Sequence, residues 1–148
     1  MTPARGSRRR SALPKTIVLF VNGTLMRGEP LHRNLAGAKF LGSAKTAARY
    51  RLFSVHDVHP AMVRQTSGLG VAVKGELYRL SMKQLAATLE GEPPGLGIGV
   101  VELANKELCL GVCWVSSRMP PKSRDISKFG GWREYKRSVP SRDRISRR

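Results

Sequence analysis

Thr16-Ile-Val-Leu-Phe-Val-Asn-Gly-Thr-Leu-Met-Arg-Gly28 is the stretch on which the reading of the fold turns. Ile17 to Val21 is an apolar run rich in β-branched residues, the mark of a buried strand. It stops at Asn22-Gly23, two residues that tolerate positive φ and let the chain turn sharply. Thr24 adds a hydroxyl just past the strand end, and Gly28 permits a second close approach. Two readings stand at this point. One is a plain turn after a core strand. The other is a cluster of backbone N–H groups suited to an oxyanion or carboxylate.

Outward from that stretch, the 148 residues suffice for one domain with a core, and 41% of them are apolar. No apolar run approaches the roughly 20 residues of a membrane span. The net charge of +17 is unevenly placed. Residues 1–15 carry +5 and residues 118–148 carry +8, which leaves +4 for residues 16–117. Basic ends of this kind bind nucleic acid or anionic surfaces non-specifically, or are simply solvated arms. Phe129, Trp132 and Tyr135 are too sparse to make a stacking platform for single strands. Residues 1–15 lack the apolar stretch and cleavage site of a secretory signal; of the two readings left, a poorly made organellar presequence and a disordered basic arm, the arm is preferred and the expected location is the cytoplasm. Cys109 and Cys113 lie four apart on a predicted strand, about 13 Å along it, too far for a disulfide. They read as reduced core thiols.

Taken in order, the chain alternates short extended segments with turns. Leu31 to Leu35 has the spacing of a helical turn or two. Phe40 to Val55 reads as one extended segment, His56 to Pro60 as a turn, and Ala61 to Arg64 as a short strand. After the turn Gln65 to Gly70, Val71 to Leu80 is the clearest alternating strand. Ser81-Met-Lys-Gln84 is a capping box opening a helix that runs to about Glu90 with Met82, Leu85, Ala86 and Leu89 on one face. Gly91 to Gly97 breaks it at Pro93-Pro94. Val100–Leu103 and Leu108–Val115 make a hairpin, Ser116–Arg124 a linker, Asp125–Gly130 a loop. A last short helix runs from near Gly131 through Trp132 and Tyr135. The predicted class is α+β: a mostly antiparallel sheet of short, glycine-punctuated strands curling toward a small β-barrel, with flanking helices. The expected limits are an arm over 1–15, a domain over 16–137 and a basic tail over 138–148.

Chemistry is expected where carboxylates meet a helix end. Glu90 and Glu92 sit at the negative end of a helix dipole, beside Pro93, Pro94 and Leu96. Shielding there would raise a carboxyl pKa into the range of a general acid/base. The alternative is a solvated Glu-Gly-Glu turn. His32, His56 and His59 have no helical spacing that would fix a metal, and read as turn histidines. Gly95-Leu-Gly-Ile-Gly99 has neither the spacing nor the following helix of a nucleotide loop.

Several segments, in the same order, resemble the gamma-glutamylcyclotransferase-like superfamily. Val21-Asn-Gly-Thr-Leu25 resembles its Tyr-Gly-Ser/Thr-Leu loop. Tyr50-Arg-Leu-Phe-Ser54 with His59-Pro-Ala-Met-Val63, and Val73-Lys-Gly-Glu-Leu-Tyr78, resemble two of its strands. Leu31 to Gly42, Gly91 to Leu96 and Asp125 to Trp132 resemble a bacterial branch akin to the C-terminal domain of allophanate hydrolases. The likeness covers residues 16–137. It implies a small barrel with one cavity and a reaction that needs no metal or nucleotide. It also implies that Asn22, Gly23, Thr24 and Leu25 form the binding loop for a small anionic or amide substrate. Glu92, or else Glu90, would move the proton as an amine attacks a γ-glutamyl carbonyl to release 5-oxoproline. The chain departs from the family pattern in having Asn22 at the loop tyrosine, Ala61 at a usual glycine and Gly97 at a frequent aromatic. Two other functions remain open: a small-ligand binding or accessory domain without turnover, and nucleic-acid binding through the basic ends.

Overall fold

The computed structural model describes residues 15–139. The expected arm and tail therefore lie outside the described residues, apart from Lys15, Ser138 and Val139. The strands are β1 (Thr16–Val21), β2 (Lys39–Lys45), β3 (Tyr50–Val55), β4 (His59–Arg64), β5 (Lys74–Ser81), β6 (Leu96–Glu102), β7 (Leu108–Trp114) and β8 (Arg124–Asp125). The helices are α1 (Met82–Glu90) and α2 (Trp132–Ser138), with 3-10 turns at His32–Leu35 and Ser127–Phe129. None of the described helices is long and apolar enough to cross a membrane.

β1 is the organising strand. Leu19, Phe20 and Val21 are buried because it runs down the middle of a five-stranded sheet of order β2-β5-β1-β7-β6. It pairs antiparallel with β5 along its whole length and parallel with β7 at Leu19–Leu110 and Phe20–Gly111. β5 shows the expected alternation, with Glu76, Tyr78 and Leu80 inward and Arg79 outward. A second, antiparallel sheet has the order β4-β3-β8. Leu52, Tyr50 and Met62 from it join Leu19, Phe20 and Leu80 in one core, which Trp132 and Tyr135 of α2 close.

The architecture is α+β, as expected, and among the described residues its ladders form two sheets. The edges of the larger sheet meet beyond their strands at a single bridge, Thr46–Leu103. There Ala47 N–H donates to Glu102 O at 2.9 Å and Ala104 N–H to Lys45 O at 3.0 Å.

Several expected elements change. The segment Phe40–Val55 is two strands in different sheets, because the chain leaves the first sheet over 46–49. The expected turn at His56–Pro60 is shorter: His56 and Asp57 take left-handed φ, and His59 and Pro60 already belong to β4. β6 starts at Leu96, inside the expected breaker, and Arg124–Asp125 pairs with β3 where a loop was expected. The capping box is present: Ser81 Oγ accepts from Gln84 N–H and Gln84 Oε1 accepts from Ser81 N–H. Met82 and Ala86, however, are exposed, and Leu85 and Thr88 face inward. Thr88 fits there because its hydroxyl lies 2.8 Å from Gln84 O and 3.0 Å from Asn34 O, so burial costs it no hydrogen bond.

Candidate functional site

The loop that follows β1 is held at each residue by a different neighbour. Asn22 is buried, and its Nδ2 donates to Val112 O at 3.1 Å, which ties the strand end to β7. Gly23 lies against Pro60: a Cβ there would stand 2.3 Å from Pro60 Cγ. Only glycine allows that approach. Gly23 O accepts from Met26 N–H, Thr24 O from Leu31 N–H, and Leu25 O lies 2.9 Å from His32 Nδ1. The carbonyls are thereby spent. Among the described residues the N–H groups of Gly23, Thr24 and Leu25 make no hydrogen bond.

Glu92 reaches the same place from the other side. α1 ends at Gly91, and the Glu92 N–H donates to Leu89 O at 3.1 Å. The side chain then lines a cavity of about 10 Å³ with Asn22, Gly23, Thr24, Leu25 and Pro60. Its Oε2 is buried with no hydrogen-bond partner among the described residues. Burial pushes the carboxyl up to about 7, because the charged form has lost water and gained no donor. The structure thus places the five expected site residues around one cavity. Glu90 is not among them; it lies on the exposed side of α1.

The other singled-out positions lie elsewhere. Ala61 is fully buried opposite Phe53 in the β3–β4 pair, and Gly97 backs onto Val115. His59 is buried with its Nδ1 3.0 Å from Pro60 O. Cys109 and Cys113 are free and half-buried.

One cluster was not read from the sequence. Glu76 is completely buried, and its Oε1 accepts from the Arg27 N–H and the Tyr78 hydroxyl, both at 2.9 Å. Its Oε2 accepts from Arg133 Nη2 at 3.1 Å and Arg27 Nε at 3.3 Å. Arg133 also donates to Arg27 O. The cluster pins the far end of the loop after β1. Its sequence signal was a glutamate at an inward position of an alternating strand, within the Val73–Tyr78 segment.

Comparison with known proteins follows the same residues. Residues 17–137 match the allophanate hydrolase C-terminal domain family. The urea amidolyase of Saccharomyces cerevisiae is 32% identical over 127 residues, covering 81% of this chain and 7% of that protein. Thus the chain spans about 7% of the length of the curated relatives it matches. Among solved structures, c4763, a uropathogenic Escherichia coli-specific protein, superposes with a TM-score of 0.79 at 40% identity, covering 86% of this chain and all of that one. An AIG2-like protein of Mus musculus shares the fold at a TM-score of 0.56 and 21% identity, over 74% of this chain and 82% of that one.

Proposed function

This chain belongs to the allophanate hydrolase C-terminal domain family, within the gamma-glutamylcyclotransferase-like fold, and from that premise we propose that it acts on a small amide at the cavity between residues 22–25 and Glu92. The reaction is an aminolysis within the substrate. An α-amine attacks a γ-glutamyl carbonyl, the ring C–N bond forms, the amide C–N bond breaks, and 5-oxoproline leaves with a free amine. Glu92 takes the proton from the attacking nitrogen and returns it to the departing one. The N–H groups of Gly23, Thr24 and Leu25 are the donors for the oxygen that gains charge. Asn22 fixes the strand end that carries them. The chemistry asks for no metal or cofactor, and we place it in the cytoplasm. The basic ends add a non-specific attraction for nucleic acid.

The observation that carries this reading is the unpartnered, buried Oε2 of Glu92 on the same cavity as the loop. A carboxyl shifted to about 7 is half-ionised near neutrality, where it both accepts and releases protons readily. The cavity of about 10 Å³ has room for about one water. That leaves no preformed room for a γ-glutamyl group, so the first reading requires the lining to open around the substrate. It also supports a second reading, a binding or accessory domain without turnover.

Release of 5-oxoproline from γ-glutamyl amides of increasing size tests the proposal. Glu92→Gln should lower kcat/KM at least about 100-fold. The wild-type rate should rise with pH through about 7, since the carboxylate must be free to take the first proton. Full turnover by the Gln variant would remove Glu92 from the reaction. Ligand-induced thermal stabilisation with no product would favour the second reading.

A further inference from the structure

A groove of about 760 Å³ shares no lining residue with the Glu92 cavity. It lies where the ends of β2, β4 and β6 come together with the 65–70 loop and the β6–β7 turn. Its charged lining groups are Lys45, Arg49, Arg64, Lys106 and Glu102. Glu102 is engaged by Arg49 at 3.1 Å. Lys45, Arg64 and Lys106 make no ion pair among the described residues.

The groove is built on fixed backbone. Gln65 N–H donates to Arg49 O at 2.7 Å, and the Thr46–Leu103 bridge ties the opposite wall. Gly70 packs so closely that a Cβ would stand 2.5 Å from Arg49 Cα. Lys106 holds φ 74, a left-handed conformation that glycine or asparagine adopts more cheaply. Lys106 lines the groove from that left-handed turn. Small residues and threonines make up most of the remaining lining, with no aromatic ring among them. Base stacking is therefore not on offer. What the groove offers is four cations, Arg49 among them paired with Glu102, within the volume of an ordinary small-molecule site, and two of the four are guanidinium groups suited to phosphate oxygens.

We propose that this groove binds a compact oligophosphate, held by Lys45, Arg64 and Lys106 with Arg49 as the anchored member. Several linked phosphates would meet several cations at once. A single phosphate would meet one or two.

The test is calorimetric titration of the full chain at near-physiological salt with tripolyphosphate, orthophosphate and citrate. Tripolyphosphate should bind at least tenfold more tightly than the other two. The combined variant Lys45→Gln, Arg64→Gln, Lys106→Gln should lose at least tenfold in affinity. Arg8→Gln, Arg9→Gln, Arg10→Gln together, or Glu92→Gln alone, should change it less than twofold. Failure of the cyclotransferase reading thus leaves this test intact. Should the combined variant unfold, Arg64→Gln alone should still weaken binding about threefold. Unchanged affinity in the groove variants, an equal loss in the arm variant, or equal affinity for orthophosphate or citrate would overturn the proposal. So would double-stranded DNA that binds more tightly than tripolyphosphate and depends on the same three residues.

Discussion

A carboxyl group taken out of water either finds donors or keeps its proton, and Glu76 and Glu92 take one course each. Burial alone would raise the Glu76 pKa. The Arg27 N–H, the Tyr78 hydroxyl and the Arg133 guanidinium outweigh it and hold the carboxyl below its ordinary value. Burial and the charge of Glu76 together push Tyr78 well above the usual phenol range. A depressed acid contributes stability that is present above the unfolded pKa and lost as pH falls through the folded one. Glu76→Gln should cost about 3 kcal/mol at pH 7 by urea unfolding, with the deficit shrinking in acid. Glu92 has the opposite sign. Its carboxyl is raised to about 7, so the native state favours the proton, and stability is lost as pH climbs from the unfolded value toward and past 7. Glu92→Gln should therefore stabilise the chain by about 1–3 kcal/mol at pH 8 and by nothing near pH 4. Equal stability of the two proteins at pH 8 would mean that Glu92 is not shielded. The shielded setting of Glu92 was legible because helix end, prolines and carboxylate are neighbours in sequence, although those neighbours did not separate it from Glu90. The Glu76 cluster was not, because its arginine partners lie 49 and 57 positions away.

Elements were legible where their signals are local. The alternation of β5, the apolar run of β1 and the capping box of α1 each announce themselves within ten residues. Ser81→Ala should remove the cap and cost about 1 kcal/mol, read as a fall in Tm of a few degrees. The buried stripe of α1 was misread because Thr88 is polar by type; its hydroxyl finds backbone oxygens on Gln84 and Asn34, which periodicity of apolar residues cannot show. β8 has two residues and no pattern of its own; β3 defines it. The loop after β1 makes the sharpest demand on a single position. Gly23→Ala would drive a methyl group into the Pro60 ring, so it should destabilise by about 1–3 kcal/mol and displace the loop from the Glu92 cavity.

At the scale of the whole molecule, α2 holds the two sheets together. Arg133 reaches Glu76 in the five-stranded sheet, and the Tyr135 hydroxyl donates to Asp57, in the β3–β4 turn, at 2.6 Å. Lys136 adds a contact of 2.8 Å to Glu29, and Trp132 is buried to 1% exposure. A chain ending at Gly130 should therefore lose its cooperative unfolding transition and the near-ultraviolet signal of its packed rings. The α+β class could be read from the sequence, but the parallel neighbour of β1 could not, since a parallel pairing leaves no mark on the residues between. That pairing sets a schedule for the chain. Asn22 and Val112, which tie its end, are 90 positions apart. On the ribosome β1 is finished long before its second partner exists, and one apolar flank stays uncovered while most of the polypeptide is still being made. Such a topology folds slowly and late, so depleting chaperones during synthesis should lower the yield of soluble protein.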